Sequence, residues 1–176
     1  MKALIPVLIL LAGTAQAADR IERGQYLVNT SGCRDCHTPL KMGAHGPEPD
    51  MARSLSGHPQ DFVITAPVAP PQGPWMVVTA QTATAFSGPW GVSFTANLTP
   101  DVETGLGRWS ENDFVQTIRT GRHLGRGRPV LPPMPIPVYS QMTDDDLKAV
   151  FAYLKSLPPI RNKVPEPLAP LAPAHP

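Results

Sequence analysis

The sequence predicts a mainly α domain with few helices, a long irregular or short-stranded insertion, and an extended tail. Three observations carry this. Apolar residues recur at helical spacing behind capping residues in three segments, 19–30, 110–120 and 143–157. Twenty-three of the 176 residues are proline, far above average usage, which confines helices to the stretches that lack it. The prolines gather with Gly, Ala and Thr between about residues 40 and 95, and again from Pro158 to the end. The length suits one domain. The expected layout is a leader over 1–17, one domain over 18–157 with its insertion at about 40–95, and a Pro-rich tail over 158–176.

The N-terminus reads as a secretory signal peptide. Lys2 supplies one positive charge, Leu4–Leu11 a short apolar run, and Ala15-Gln-Ala17 a small-x-small cleavage pattern. The run is too short to span a bilayer. Cleavage near Ala17 would export the chain and leave no transmembrane segment, the alternative being a retained membrane anchor. Loss of Lys2 takes the formal charge from +1 to zero. Neither a nucleic-acid binder nor a polybasic membrane binder fits that balance.

The first helical segment, Asp19–Thr30, sets Ile21 and Val28 on one face and runs into Cys33-Arg-Asp-Cys-His37, which holds both cysteines of the chain. Four uses of these residues are open. A disulfide would close a loop too small to constrain the unfolded chain much. A thioredoxin-like dithiol needs a strand before it and a helix after it, and Pro39 with the Gly/Pro-rich stretch beyond opposes the helix. A zinc site needs two more ligands, and His45 and His58 are the nearest. The fourth use accounts for all three residues at once: Cys33 and Cys36 bond the vinyl groups of a haem, and His37 reaches its iron. Such attachment takes place outside the cytoplasm, as the leader independently requires. An apolar cofactor would also supply core material to a chain that is only 6% aromatic.

Beyond the motif, Phe62–Thr65 and Met76–Thr79 are predicted as short strands within the insertion. Ser110 caps the second helix with Asp113 three residues on, Phe114 and Ile118 share a face, and Gly121 ends it. Arg119, Arg122, His123, Arg126 and Arg128 then follow in a stretch with no acidic residue. Thr143 caps the third helix, Asp144–Asp146 complement its dipole, and Leu147, Val150, Phe151 and Leu154 form its apolar stripe. Pro158-Pro159 stops it, and the tail beyond is expected to be extended and solvent-exposed.

A six-coordinate haem needs a ligand on its second face, and Met42, Met51, Met76, Met134, Met142, His45, His58 and His123 are the candidates. Met134 lies in Leu131-Pro-Pro-Met-Pro-Ile-Pro-Val138, where flanking prolines fix the backbone and hold one side chain rigidly, as a weak thioether–iron bond requires. Met142, one residue before a helix cap, reads as a packing residue.

The chain resembles a monohaem class I c-type cytochrome of the bacterial periplasm. The resemblance rests on Cys33–His37 after a helix bearing Gly24 and Tyr26, on Asn97-Leu-Thr-Pro-Asp101, on Thr104–Glu111, on Leu131-Pro-Pro-Met-Pro135, and on Asp146–Leu157. It implies a class I cytochrome c fold around one covalent haem c, with His37 and Met134 as axial ligands. It further implies that the Trp109 indole meets a haem propionate. Tyr153 and Leu154 would cross Gly24 and Tyr26, and a proline carbonyl, from Pro47 or Pro49, would accept from His37. The segment after His37 is longer than in the simplest members of the family. Relatives with similar wording resemble cytochrome subunits or partners of periplasmic dehydrogenases. The implied function is therefore periplasmic electron transfer, from a dehydrogenase to a terminal oxidase or another cytochrome, by a carrier that is not itself an enzyme. The rival functions are a haem-based ligand sensor and a peroxidase-type haem enzyme, each needing a displaceable distal methionine.

Overall fold

Two helices that cross at a glycine set the frame of the molecule, a computed structural model that describes residues 6–68 and 74–170, with side chains from residue 16 onward. Helix α1 spans Pro6–Thr30 and helix α5 spans Asp144–Ser156. A Cβ on Gly24 would lie 1.9 Å from the Ala149 carbonyl oxygen and 2.8 Å from Tyr153 Cβ. Only hydrogen fits there, so the two backbones meet almost directly. The Arg23–Asp146 ion pair, at 2.9 Å, spans the same crossing. Gly24 and Tyr153 thus meet as anticipated, and Leu154 is buried in the core at 1% exposure. Tyr26 does not join them: it is 59% exposed, with the Arg23 guanidinium over its ring. It lies two residues from Gly24, and positions two apart do not share a helix face.

α1 is longer than the segment predicted, because the stretch before Ala17, rich in Leu and Ala, continues the same helix. Residues 1–5, the start of the proposed leader, lie outside the described residues, as do the side chains before residue 16. Among the described residues no helix is long and apolar enough to cross a membrane.

Helix α2, Cys33–His37, is a single turn entered through Gly32, whose φ of 74° suits glycine. Helix α3, Glu111–Thr120, carries the predicted capping box between Ser110 and Asp113 and ends at Gly121 in the left-handed region. Helix α4, Ile136–Tyr139, is one turn that the proline-rich wording concealed. In α5 the Thr143 hydroxyl accepts from the Asp146 amide at 3.1 Å. The apolar faces of α1, α3 and α5 close on Val28, Leu55, Leu106, Ile118, Leu147 and Leu154, with the rings of Phe114 and Phe151 5.4 Å apart.

Outside residues 69–73, which are not among the described residues, the insertion carries more regular structure than its composition suggests. Strands β1, Leu40–Gly43, and β2, Gly46–Pro49, form an antiparallel hairpin. Strands β3, Val78–Thr79, β4, Ala85–Gly88, and β5, Gly91–Phe94, form a second antiparallel sheet in the order β3-β4-β5. Of the predicted strands, Met76–Thr79 survives only as β3. Phe62–Thr65 is not a strand, since the Phe62 amide turns back onto the Pro59 carbonyl and its own carbonyl is taken by His58. The β4–β5 hairpin was missed because Gly88, Pro89 and Gly91 mask a short ladder.

Residues 171–176 of the tail lie outside the described residues; its described part, 158–170, is extended but not solvent-exposed throughout. Asn162 is 6% exposed, and Leu168 exchanges two 3.0 Å backbone hydrogen bonds with Val92 of β5. A chain with no apolar periodicity can still be anchored through its amides and one buried asparagine.

Candidate haem site

Cys33 and Cys36 are free thiols three positions apart on α2, so both lie on one side of a single turn, with His37 next in line. Burial pushes the Cys33 thiol up to about 11 and raises Cys36 as well, with Asp35 adding to the second effect. A redox dithiol requires the opposite shift, and a helix rather than a strand precedes this pair. The turn is held from outside by Arg34, which donates to Asn29 Oδ1 at 2.9 Å, to the Tyr153 hydroxyl at 2.8 Å and to Ser54 Oγ. One variable residue of the motif thus ties α2 to α1, to α5 and to the insertion. Nothing in the sequence pattern marked Arg34 for that task.

His37 is 8% exposed, and burial lowers its pKa, so the imidazole is neutral at ordinary pH. Its Nδ1 lies 2.8 Å from the Ala96 carbonyl oxygen. A carbonyl can only accept, so Nδ1 carries the proton and Nε2 keeps a lone pair for a metal. This corrects the expected proline partner. Pro47 and Pro49 belong to β2 and pair with Met42 and Leu40, whereas Ala96 lies just past the ladder of β5. The ladder's last bond is Thr95 N–H to the Thr84 carbonyl, which leaves the Ala96 carbonyl clear of the sheet.

The other predicted residues separate into two groups. Met134, Trp109 and Met142 are half-buried and pack on the same apolar cluster as Cys33, together with Ile136 and Tyr139. Trp109 meets the His123 ring edge-on at 4.9 Å. Met42, Met51 and Met76 are 78%, 61% and 64% exposed, away from that cluster. His45 sits exposed at the β1–β2 turn. His58 is fully buried, and both its nitrogens are occupied, by Phe62 O at 2.8 Å and Thr84 Oγ1 at 3.0 Å. Of the basic run, Arg119 is spent on Met142 O and Asp144, and Arg128 pairs with Glu166 at 3.2 Å. Arg122 and Arg126 remain exposed.

The donor set fits a covalent haem. Two unpaired thiols and a singly occupied imidazole share one turn, and Cys33 adjoins an apolar wall that also carries two methionines. Among the described residues, the hydroxyl of Thr95, beside Ala96, is buried without a hydrogen-bond partner. A bound group bearing carboxylates could satisfy it. No group of three His, Cys, Asp or Glu side chains among the described residues suits a metal held by protein alone, which disfavours zinc.

Comparison with known proteins agrees. The chain is 39% identical over 82 residues to a nicotinate dehydrogenase subunit of Pseudomonas putida, a match covering 46% of this chain and 7% of that protein. It is 29% identical over 160 residues to the cytochrome c subunit of a quinone-dependent alcohol dehydrogenase of Gluconobacter oxydans, covering 88% of this chain and 26% of the relative. It is 29% identical over 133 residues to the gluconate 2-dehydrogenase cytochrome c subunit of Pantoea cypripedii, covering 76% and 22%. The chain therefore spans about a quarter or less of the length of these relatives. Residues 21–158, from the second half of α1 to the residue after Leu157, match the family model for cytochrome c, so the chain belongs to the cytochrome c family, whose members bind haem c covalently.

Proposed function

We propose that this chain is a periplasmic electron-transfer cytochrome, exported by a leader cut near Ala17. Cys33 and Cys36 hold the haem as thioethers, His37 is its proximal ligand and Met134 its distal one, and Trp109 lies against a propionate. The strongest support is His37, buried and fixed through Nδ1 to Ala96 beside two reduced thiols. The bound haem supplies a reversible one-electron couple. The chain's own residues do the rest. The Ala96 carbonyl fixes the tautomer and tilt of His37 and raises its basicity. The prolines around Met134 hold its thioether in one place, and the apolar cluster excludes water. With His37 and Met134 both holding the iron, the chain would carry electrons rather than catalyse a reaction on a bound substrate. Because the relatives are named as dehydrogenase subunits, a dehydrogenase is the proposed donor, and the respiratory chain, through a terminal oxidase or another cytochrome, the acceptor.

Met134 and Met142 are the two methionines on the apolar cluster, and optical spectroscopy of the holoprotein separates them. Met134→Ala should abolish the weak red sulfur-to-ferric-iron band and admit carbon monoxide, while Met142→Ala leaves the band in place. The reverse pattern would assign the ligand to Met142. A wild type whose haem binds carbon monoxide or reacts with peroxide at once would favour a sensor or a peroxidase instead.

A further inference from the structure

The C-terminal tail closes over the two segments that grip His37, and it does so through polar atoms. The first segment contains Gly57, whose N–H donates to the His37 carbonyl at 2.9 Å. The second contains Ala96, whose carbonyl accepts from His37 Nδ1. They are cross-linked by His58 N–H to Thr95 O at 3.0 Å and by Leu98 N–H to Leu55 O at 2.8 Å. Their fit is close: a Cβ on Gly57 would lie 2.6 Å from the Ala96 carbonyl oxygen, and its φ of +77° favours glycine.

Asn162 of the tail grips the first segment with its side chain and, through its backbone N–H, reaches Thr104 beyond the second. Its amide nitrogen donates to Ser56 O at 2.7 Å and His58 O at 2.8 Å, and its amide oxygen accepts from Gln60 N–H at 2.9 Å. Its backbone N–H donates to Thr104 Oγ1 at 3.0 Å. Asn97, adjacent to Ala96, reaches the tail from the other side, donating to Ile160 O at 2.8 Å and to Thr104 Oγ1 at 3.2 Å. Every polar atom of the Asn162 side chain is used, and the residue is buried. A proline-rich tail needs no such site merely to lie on a surface.

We infer that Asn162 is a positioning residue for the haem: by locking 56–60 to 97–104 it fixes the Ala96 carbonyl against His37, and so sets how strongly His37 donates to the iron. This rests on the assignment of His37 as proximal ligand. A carbonyl held firmly on Nδ1–H makes the imidazole more basic and favours ferric iron. Releasing it weakens that donation and raises the reduction potential.

The test is spectroelectrochemical titration of the holoprotein. Asn162→Ala should raise the midpoint, lowering the ferric-to-ferrous ratio severalfold at fixed electrode potential, a tenfold change being about 59 mV. Arg161→Ala, which removes only the exposed pair with Glu103, should leave the midpoint in place. If Asn162→Ala does not accumulate with haem, Asn162→Asp keeps the oxygen that accepts from Gln60 and removes the donor to Ser56 and His58, and a smaller rise is expected. A low-spin variant of either kind with the wild-type midpoint overturns the role of Asn162 alone. A wild type lacking a covalent, histidine-ligated haem overturns the assignment of His37 and the inference with it.

Discussion

Leu154 and Asn162 are near neighbours in sequence and are both buried, at 1% and 6% exposure, yet they are held by opposite means. Leu154 lies among the apolar faces of α1, α3 and α5. Asn162 lies among the Ser56 and His58 carbonyls, the Gln60 amide and the Thr104 hydroxyl, each within hydrogen-bonding distance. The contrast extends to the two halves of the molecule. The helical half contributes most of the large buried apolar side chains, whereas the half built from the insertion, the segment that follows it and the tail buries His58, Thr82, Thr84, Ser87, Ser93, Asn97, Thr99 and Asn162. Apolar packing is tolerant of small displacements and fills volume. Hydrogen-bonded polar groups penalise a misplaced partner by about 1–3 kcal/mol each and so fix geometry more narrowly. The halves meet at His37, whose ring is set by the polar half while Cys33, four residues before it, packs on the apolar one.

The helical half should break most severely at its tightest point. Gly24→Ala places a Cβ where the Ala149 carbonyl stands, and the obstacle is backbone, so the helices themselves must part. A loss of about 1–3 kcal/mol is expected, toward the upper end of what overpacking costs. Denaturant unfolding of the holoprotein measures it. A variant as stable as the wild type would mean that the crossing is looser than the 1.9 Å contact implies.

The polar half should respond instead to pH. The Phe62 carbonyl accepts from His58 Nε2–H, so Nδ1 is left to accept from Thr84, and burial lowers the pKa of the ring. Above the ordinary histidine value of about 6.5 both folded and unfolded His58 are neutral, and pH has no effect through this group. As pH falls through that value, the unfolded chain takes up a proton that the folded ring resists. Stability therefore declines, and goes on declining until the folded-state pKa is reached. The thermal midpoint should fall between about pH 7 and about pH 5.5, with a shallower slope in His58→Gln. Equal slopes would show that His58 protonates as readily folded as unfolded.

The same contrast explains what the sequence disclosed. Ser110, Gly121, Thr143 and the stripe from Leu147 to Leu154 follow helical spacing, and the helices they predicted are present with their caps. Cys33, Cys36 and His37 stood out because the proposed covalent attachment draws on residues within one short stretch of chain. The partner of His37 was not, since any carbonyl brought near by the fold can serve, and nothing in Ala96 distinguishes it. Asn162 escaped for a related reason: hydrogen bonds between one side chain and distant backbone leave no period, and an asparagine among prolines looks like solvent-exposed chain. The sheet of β3, β4 and β5 was hidden by its length, strands of two to four residues being too short to show alternation.

The smallest effect on stability, and the most informative about the partner, is expected on the loop that joins α3 to the methionine segment. Arg119 and Arg128 are already engaged with Asp144 and Glu166, so the run is less positive than its composition. Arg122 and Arg126 stay exposed beside His123, whose ring contacts Trp109. Arg126 also acts on Asp113, which is held below the usual carboxylate range chiefly by Ser110 and further by this guanidinium. The field that reaches a partner is therefore that of two arginines, and it should be short-ranged, decaying over about 10 Å at 0.1 M salt. Arg122→Glu combined with Arg126→Glu should slow association with a partner that docks through acidic residues, while leaving the haem spectrum and unfolding midpoint close to wild type. Raising the salt should bring wild type and variant rates together, because screening removes the same attraction that charge reversal removes. Stopped-flow mixing with the reduced donor across a salt series reads both effects. Rates indifferent to salt and to the reversal would move the docking surface to the apolar side of the methionine segment, where Val138 is 62% exposed.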